Sequence, residues 1–204
     1  MTNEKNLEIL VVEDNPSYLD VAKSYFNSIS SLKADYATTR DEAIAKLNSK
    51  TYDGVITDRG LPGFKEDKFQ PNLYMQNNGW YVALHSNLKG IPIVIFSYHY
   101  TLCRYFLPLQ DSSEKTAIKQ HIKTIEEGFK ISDREQYHKI FSLPKFCDME
   151  DMFASIARAK GLQRLNYWCF EQEITKKDSK SWEYALNYLK LQIEYSERNK
   201  NNNP

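Results

Sequence analysis

The chain has 204 residues and carries 27 lysine and arginine residues against 27 aspartate and glutamate residues, so its formal net charge is zero. A protein that binds the phosphate backbone of nucleic acids usually has a basic surplus, and we therefore expect no direct nucleic-acid partner. The length allows one large domain, or an ordinary domain with added segments.

The cysteines and the N-terminal residues bear on the cellular compartment. Cys103, Cys147 and Cys169 show no Cys-x-x-Cys spacing, which argues against a disulfide framework or a zinc site. The N-terminal residues lead directly into an apolar strand, and no apolar run has the length of a signal peptide or a membrane span. We expect a cytoplasmic protein without membrane contact.

The first unit is a strand, an acidic loop and a helix. Residues 7–12 predict a short apolar strand, which ends in the acidic pair Glu13 and Asp14. Pro16 suits the first position of a helix, and Asn15 suits the capping position before it.

The second unit leads to an aspartate at the end of a strand. A strand is predicted at residues 34–37, followed by a helix that starts with a capping box of Thr39 and Glu42. A short β-branched run then ends at Asp58, and the turn residues 60–63 follow. Ligands of open α/β sheets bind at the carboxyl ends of strands, so this aspartate is a candidate for chemistry.

Two inserted segments interrupt the pattern. Residues 64–78 are polar and predict a long loop or an insertion, and residues 79–88 then predict a helix. The clearest buried strand covers residues 91–97 and ends in the hydroxyl of Ser97. A second insertion is predicted at about residues 100–136.

The remaining segments complete the predicted domain and extend it. A fifth strand is predicted at residues 139–143, and Lys145 follows it closely. The main domain is predicted to end at residue 160. Residues 161–198 predict a helical extension, and residues 199–204 predict a disordered tail.

The predicted extension contains a helix with apolar residues on two sides. Such a helix must be covered on both sides, so it packs back onto the main domain or meets another chain, as in a homodimer. Packing onto the main domain is the favoured prediction. The first row is Trp182, Leu186, Leu189 and Ile193, and the second is Tyr184, Tyr188, Leu191 and Tyr195.

The alternation of strands and helices predicts an α/β fold with a doubly wound, five-stranded parallel sheet of the flavodoxin type. The first and third strands are neighbours in such a sheet, which would bring Glu13, Asp14 and Asp58 together. Three carboxylates repel one another and need a cation, and their oxygens suit Mg²⁺. A metal ion and a lysine beside Asp58 would let its carboxylate accept a phosphoryl group.

The chain resembles the receiver domain of two-component response regulators over about residues 6–160. The matching segments are residues 9–15, residues 53–58 with 61–63, residues 91–97, and Lys145.

The resemblance implies a role for each site residue. Asp58 would be the phosphoacceptor, and Asp14 and Asp58 would hold Mg²⁺, assisted by Glu13 through water and by the carbonyl of Gly60. Ser97 would be the switch hydroxyl and Lys145 the ion-pairing lysine. The implied protein is not an enzyme; its partners would be a histidine kinase or phosphotransfer protein and an unknown downstream protein.

Two alternatives remain open. Receivers place an aromatic residue three positions before the lysine and a proline after it, whereas this chain has Ser142 there and Pro144 before Lys145. These departures favour a pseudo-receiver that binds partners without phosphorylation. The other alternative is a Mg²⁺-dependent phosphohydrolase with Asp58 as nucleophile, but Gly60 occupies the position where such enzymes often carry a second acid.

Overall fold

A computed structural model describes residues 6–63, 75–96, 104–106, 116, 119–120, 122–123 and 176–202. The chain divides into two compact units, residues 1–110 with 168–204 and residues 111–167. The sheet and the site residues described below belong to the first unit. No helix in the described ranges is long and apolar enough to cross a membrane.

The described strands form one sheet in the order β2-β1-β3-β4-β5. Strands β1 to β4 are parallel, so the predicted parallel α/β sheet is confirmed for four strands. Strand β1 lies between β2 and β3, with Val12 opposite Thr57 in β3. The strands are β1 (Leu7–Val12), β2 (Leu32–Ala37), β3 (Gly54–Thr57), β4 (Ile93–Ile95) and β5 (Arg104–Phe106).

The fifth strand differs from the predicted one. Arg104–Phe106 runs antiparallel to β4, so the five-stranded sheet is not wholly parallel. This strand lies within the segment that the sequence predicts as an insertion, which explains why a count of βαβ units misses it. The strand predicted at residues 139–143 and the boundary at residue 160 lie outside the described residues.

The helices begin where local capping chemistry places them. Asn15 accepts hydrogen bonds from the backbone N–H groups of Ser17 and Tyr18 and caps α1, and Thr39 accepts one from Glu42 at the start of α2. The carboxylate of Glu42 returns to the N–H of Thr38, one residue before the position expected of a capping box. The helices are α1 (Pro16–Asn27), α2 (Arg40–Ser49), α3 (Met75–Leu88) and α4 (Ser179–Asn202).

Two helix boundaries correct the predictions from sequence. Helix α3 begins at Met75, so residues 75–78 are helical and not part of a loop. Helix α4 continues to Asn202 and takes in four residues of the predicted disordered tail. Helix α3 ends at Leu88, and the turn after it contains Gly90, whose positive φ of 69° is a backbone conformation that glycine adopts without a steric penalty.

The first apolar row of helix α4 packs on the sheet, as the favoured prediction required, whereas in the second row Tyr184 is 47% and Leu191 58% exposed. Alternate strand residues face it together with α1, and each large apolar side chain buried there contributes about 1.5–3 kcal/mol. Gly54 lies so close to α4 that a Cβ atom would meet the Leu189 side chain at 2.7 Å. The core on this face contains Ile9, Val11, Ala22, Phe26, Ile56, Val94, Phe96, Trp182, Ala185, Leu186, Leu189 and Ile193.

Candidate functional site

The acidic residues lie at the carboxyl ends of β1 and β3. The N–H of Asp58 donates to the carbonyl of Val12 at 2.8 Å, and the N–H of Glu13 donates to the carbonyl of Ala37 at 3.0 Å. These bonds continue the strand pairing by one residue and fix the backbone of both acids. Glu13, Asp14 and Asp58 each offer a carboxylate oxygen, and the three oxygens lie within 4.8 Å of one another.

A buried lysine contacts two of these acids. The ammonium group of Lys176 lies 2.6 Å from Oε2 of Glu13 and also contacts Oδ1 of Asp58. The side chains of Lys176 and Glu13 are each 2% exposed and that of Asp58 is 13% exposed. Water screens such a pair far less than a surface ion pair.

Backbone N–H groups bind the other oxygen of each paired acid. Gly60 donates to Oδ2 of Asp58 at 2.9 Å, and Asn15 donates to Oε1 of Glu13 at 3.1 Å. Each carboxylate is therefore held on one side by the lysine and on the other by its own loop. This arrangement fixes the direction in which both acids point.

Burial and neighbouring charges shift the pKa values of the paired groups. Burial raises the pKa of Glu13 to about 7, with Lys176 opposing the shift and the nearby Asp58 charge adding to it. Burial lowers the pKa of Lys176, but the attraction of Asp58 and Glu13 outweighs burial and raises it.

The donor set fits a divalent cation. Carboxylate oxygens are the ligands that Mg²⁺ prefers, and a divalent cation would offset the repulsion among three neighbouring carboxylates. The close approach of the three carboxylates, and the raised pKa of Glu13, indicate that a cation would be favourable here. Glu13, Asp14 and Asp58 are the side chains that would hold it.

The loop after Asp58 is fixed by two helices. Gly79 in α3 donates its N–H to the carbonyl of Arg59 at 3.1 Å, and the amide of Asn78 donates to the carbonyl of Leu61 at 2.6 Å. The first N–H groups of α2 donate to the carbonyls of Pro62 and Gly63. The loop that carries Asp58 thus has a defined conformation up to Gly63.

The structure brings together four of the residues predicted for the site and adds one. Glu13, Asp14, Asp58 and Gly60 lie together, whereas Ser97 and Lys145 lie outside the described residues, so their roles stay predictions. In the described part of the chain, the lysine that contacts Asp58 is Lys176. The sequence analysis did not identify Lys176, because the receiver pattern places the lysine after the strand predicted at residues 139–143.

A signal for Lys176 was present in the sequence. It lies just before the strongly apolar row that begins at Trp182, and a helix with such a row must pack on the sheet. A lysine in the turn before that helix is therefore brought to the sheet. Counted from Lys176, the position of the expected aromatic residue is Glu173, which is not aromatic either.

Comparison with known proteins gives only distant matches. No protein-family model matches the chain, and no curated protein matches it. Two structures of the RcsB response regulator from Salmonella typhimurium, described for conformational dynamism in DNA interaction, share 11% and 12% identity with it at TM-scores of 0.36 and 0.35; each comparison covers 93% of both chains.

A third match is RcsB from Salmonella enterica serovar Typhimurium, bound to promoter DNA in the presence of the phosphomimetic BeF3⁻. It shares 12% identity at a TM-score of 0.36, covering 93% of this chain and 92% of its own. Scores this low do not transfer residue roles or partners.

Proposed function

We propose that this chain is a receiver-type phosphoacceptor, in which Asp58 takes a phosphoryl group from a phosphohistidine donor and signals through protein contacts. The observation that carries the proposal is the placement of Asp58 beside Glu13 and Asp14, with the ammonium group of Lys176 in contact with its carboxylate. A histidine kinase or a phosphotransfer protein would be the donor.

The transfer needs a nucleophile, a leaving group and positive charge beside the phosphoryl oxygens. A carboxylate oxygen of Asp58 forms a bond to phosphorus while the bond from phosphorus to the donor nitrogen breaks, and that nitrogen keeps the electron pair. Lys176 is placed to stabilise the charge on the phosphoryl oxygens. Mg²⁺, held by Glu13, Asp14, Asp58 and the Gly60 carbonyl, would supply further positive charge when bound.

Phosphorylation would change the partner of Lys176. A phosphoryl group carries a charge of about −1.5 to −2, so Lys176 gains a stronger partner than the Asp58 carboxylate. The present bond between Lys176 and Glu13 would weaken, and this change would be passed to the turn before α4, which contains Lys176. In this proposal Lys176 takes the role predicted for Lys145, and Ser97 keeps its predicted role as the hydroxyl that binds a phosphoryl oxygen.

Labelling with acetyl phosphate and Mg²⁺ tests the proposal. The wild type should gain one phosphoryl group by intact mass, hydroxylamine should remove it, and Asp58→Asn should gain none. Asp41→Asn, at a largely exposed carboxylate in α2, is the matched control and should be labelled like the wild type. Equal labelling of Asp58→Asn and Asp41→Asn would exclude Asp58 as the acceptor.

A pseudo-receiver is the second candidate. Lys176 already bonds to both Glu13 and Asp58 in a buried position, so the pair could be a structural feature that never receives a phosphoryl group. This candidate expects neither Mg²⁺ nor beryllofluoride to change the melting temperature or the NMR spectrum. Binding of both, lost in Asp58→Asn, would count against it.

A phosphohydrolase is the weaker enzymatic candidate. Such an enzyme needs an acid to protonate the leaving group, and the position two residues after Asp58 is Gly60, which offers Asp58 only a backbone N–H. Turnover of a general phosphatase substrate that disappears in Asp58→Asn would revive this candidate.

A further inference from the structure

The backbone of Lys176 is held by a tryptophan of α4. The indole N–H of Trp182 donates to the carbonyl of Lys176 at 2.9 Å, and this bond is buried. Trp182 is 1% exposed, so water does not compete for its N–H group. A buried hydrogen bond of this kind fixes the turn from which the lysine side chain extends.

The ring of Trp182 also shares a neighbour with the lysine ammonium group. Phe96 meets Trp182 edge-on with a centroid distance of 5.0 Å, and the ammonium group of Lys176 lies 5.3 Å from the centroid of the Phe96 ring. Tyr18 faces the same ammonium group at 5.9 Å. Aromatic faces attract a cation at these distances, so Phe96 and Tyr18 help to fix the ammonium group beside Asp58.

The turn between Lys176 and Trp182 is itself constrained. Asp178 accepts a hydrogen bond from the N–H of Lys180 at 2.9 Å, and its carbonyl accepts one from Ser181 at 3.1 Å. The start of α4 is thereby fixed relative to Lys176. A displacement of the lysine backbone would have to break the indole bond or move the first turn of α4.

We propose that Trp182 is the positioning residue of Lys176 and joins the acidic site to helix α4. The indole N–H of Trp182 fixes the backbone of Lys176. The indole ring packs edge-on against Phe96, which faces the ammonium group. This link would serve in place of the aromatic residue that receivers place before their lysine and that this chain lacks. The effect of Trp182 on phosphorylation rests on the proposed function, whereas the effect of Trp182 on the position of Lys176 does not.

Trp182→Phe and Phe26→Leu form the test pair. Both remove volume from one aromatic cluster, since Phe26 packs edge-on against Trp182 at 5.8 Å, but only Trp182→Phe removes the indole N–H. The first readout is acetylation of Lys176 by acetic anhydride, measured by peptide mass spectrometry against the exposed neighbour Lys177. Loss of one buried hydrogen bond should raise the relative labelling of Lys176 about tenfold, and Phe26→Leu should leave it unchanged.

The second readout is phosphorylation by acetyl phosphate. Trp182→Phe should lower the rate constant at saturating Mg²⁺ about tenfold without changing the Mg²⁺ concentration for half-maximal rate, because the acidic residues are untouched. Protection of Lys176 in Trp182→Phe, or equal deprotection in Phe26→Leu, would overturn the proposal. Deprotection in Trp182→Phe alone, in a protein that acetyl phosphate never labels, would support the positioning role and reject the proposed function.

A measurement on the wild type covers the case in which Trp182→Phe does not fold. The indole N–H resonance of Trp182 can be assigned by comparison with Trp80→Phe and Trp168→Phe. Its hydrogen should exchange with solvent at least about tenfold more slowly than that of a free indole. Exchange at the rate of free tryptophan would overturn the proposal.

Discussion

Lys176 and Asp58 form a largely buried ion pair although 118 positions separate them in the sequence. The pair connects the end of β3 with the turn before α4, and Glu13 at the end of β1 shares the same ammonium group. Three distant segments therefore contribute to one charged cluster.

Removal of the lysine should destabilise the fold. Lys176→Met leaves the Glu13 and Asp58 carboxylates facing each other without their cation, and loss of one partner of a buried pair costs about 3–5 kcal/mol. Lys177→Met, at the exposed neighbour, is the control and should stay within about 0.5 kcal/mol of the wild type. Urea unfolding without divalent cations measures both, and equal midpoints would contradict the buried ion pair.

Three glycines should differ in their tolerance of alanine. A Cβ on Gly79 would lie 2.7 Å from Cα of Arg59 and closer still to the carbonyl of Asp58, so Gly79→Ala should cost about 3 kcal/mol or more. A Cβ on Gly54 would meet side-chain atoms of Leu189 and no backbone among its nearest contacts, so Gly54→Ala should cost less. Among the described residues, a Cβ on Gly60 would meet nothing closer than 3.5 Å, so Gly60→Ala should be mild.

Urea unfolding of the three variants checks this order. Alanine is intrinsically more favourable than glycine inside a helix. A loss of stability in Gly79→Ala therefore reports the steric contact of the added Cβ atom. A Gly79→Ala variant as stable as Gly60→Ala would show that α3 does not approach the loop after Asp58 as described.

Magnesium should stabilise the protein through Asp14. A ligand at 100 times its dissociation constant stabilises the folded state by about 2.7 kcal/mol, so MgCl₂ should raise the melting temperature of the wild type. Asp14→Asn should reduce this rise strongly, whereas Asp20→Asn, at an exposed position of α1, should keep it. The same rise in both variants would place the metal ion elsewhere.

The Asp35 cluster should make stability depend on pH. Burial alone would raise the pKa of Asp35, but hydrogen bonds from Tyr52 and Lys50 outweigh burial and hold this pKa below 3.8. A lowered carboxyl pKa stabilises the fold above the ordinary value, and this contribution is lost as pH falls through the folded pKa. Tyr52 donates to Oδ2 of Asp35 at 2.8 Å.

Tyr52→Phe should therefore cost about 1 kcal/mol at pH 7, after allowance for partial exposure, and the deficit should shrink as pH falls below about 4. The same change in an Asp35→Asn background should cost less at pH 7, because the charged acceptor is already gone. Urea midpoints across the pH range measure both effects. A deficit that stays constant with pH would remove Asp35 as the cause.

Local sequence signals identified most of the sheet and the acidic part of the site. The cap at Asn15, the Thr39 and Glu42 pair, and the strand end at Asp58 each depend on a few neighbouring residues, so their chemistry could be read directly. The placement of Glu13 beside Asp58 followed from the parallel pairing of β1 and β3.

The lysine and the fifth strand could not be read in the same way. Lys176 contacts Asp58 only because α4 packs on β3 and β4, and that packing depends on contacts such as Leu189 against Gly54. Strand β5 has three residues and turns back antiparallel to β4, so it is too short for a periodic pattern. Both depend on tertiary contacts that no local window contains.

The separation between Lys176 and its two acids has a consequence for folding. Glu13 and Asp58 leave the ribosome long before Lys176, so the nascent sheet exposes two carboxylates without their lysine until that segment is made. Closing a long loop costs little more than closing one of half the length, about 0.6 kcal/mol, but contacts between distant residues slow folding. Docking of α4 is thus expected to be a late event, and translation-arrested chains that end before Lys176 should stay more sensitive to proteases than the released protein.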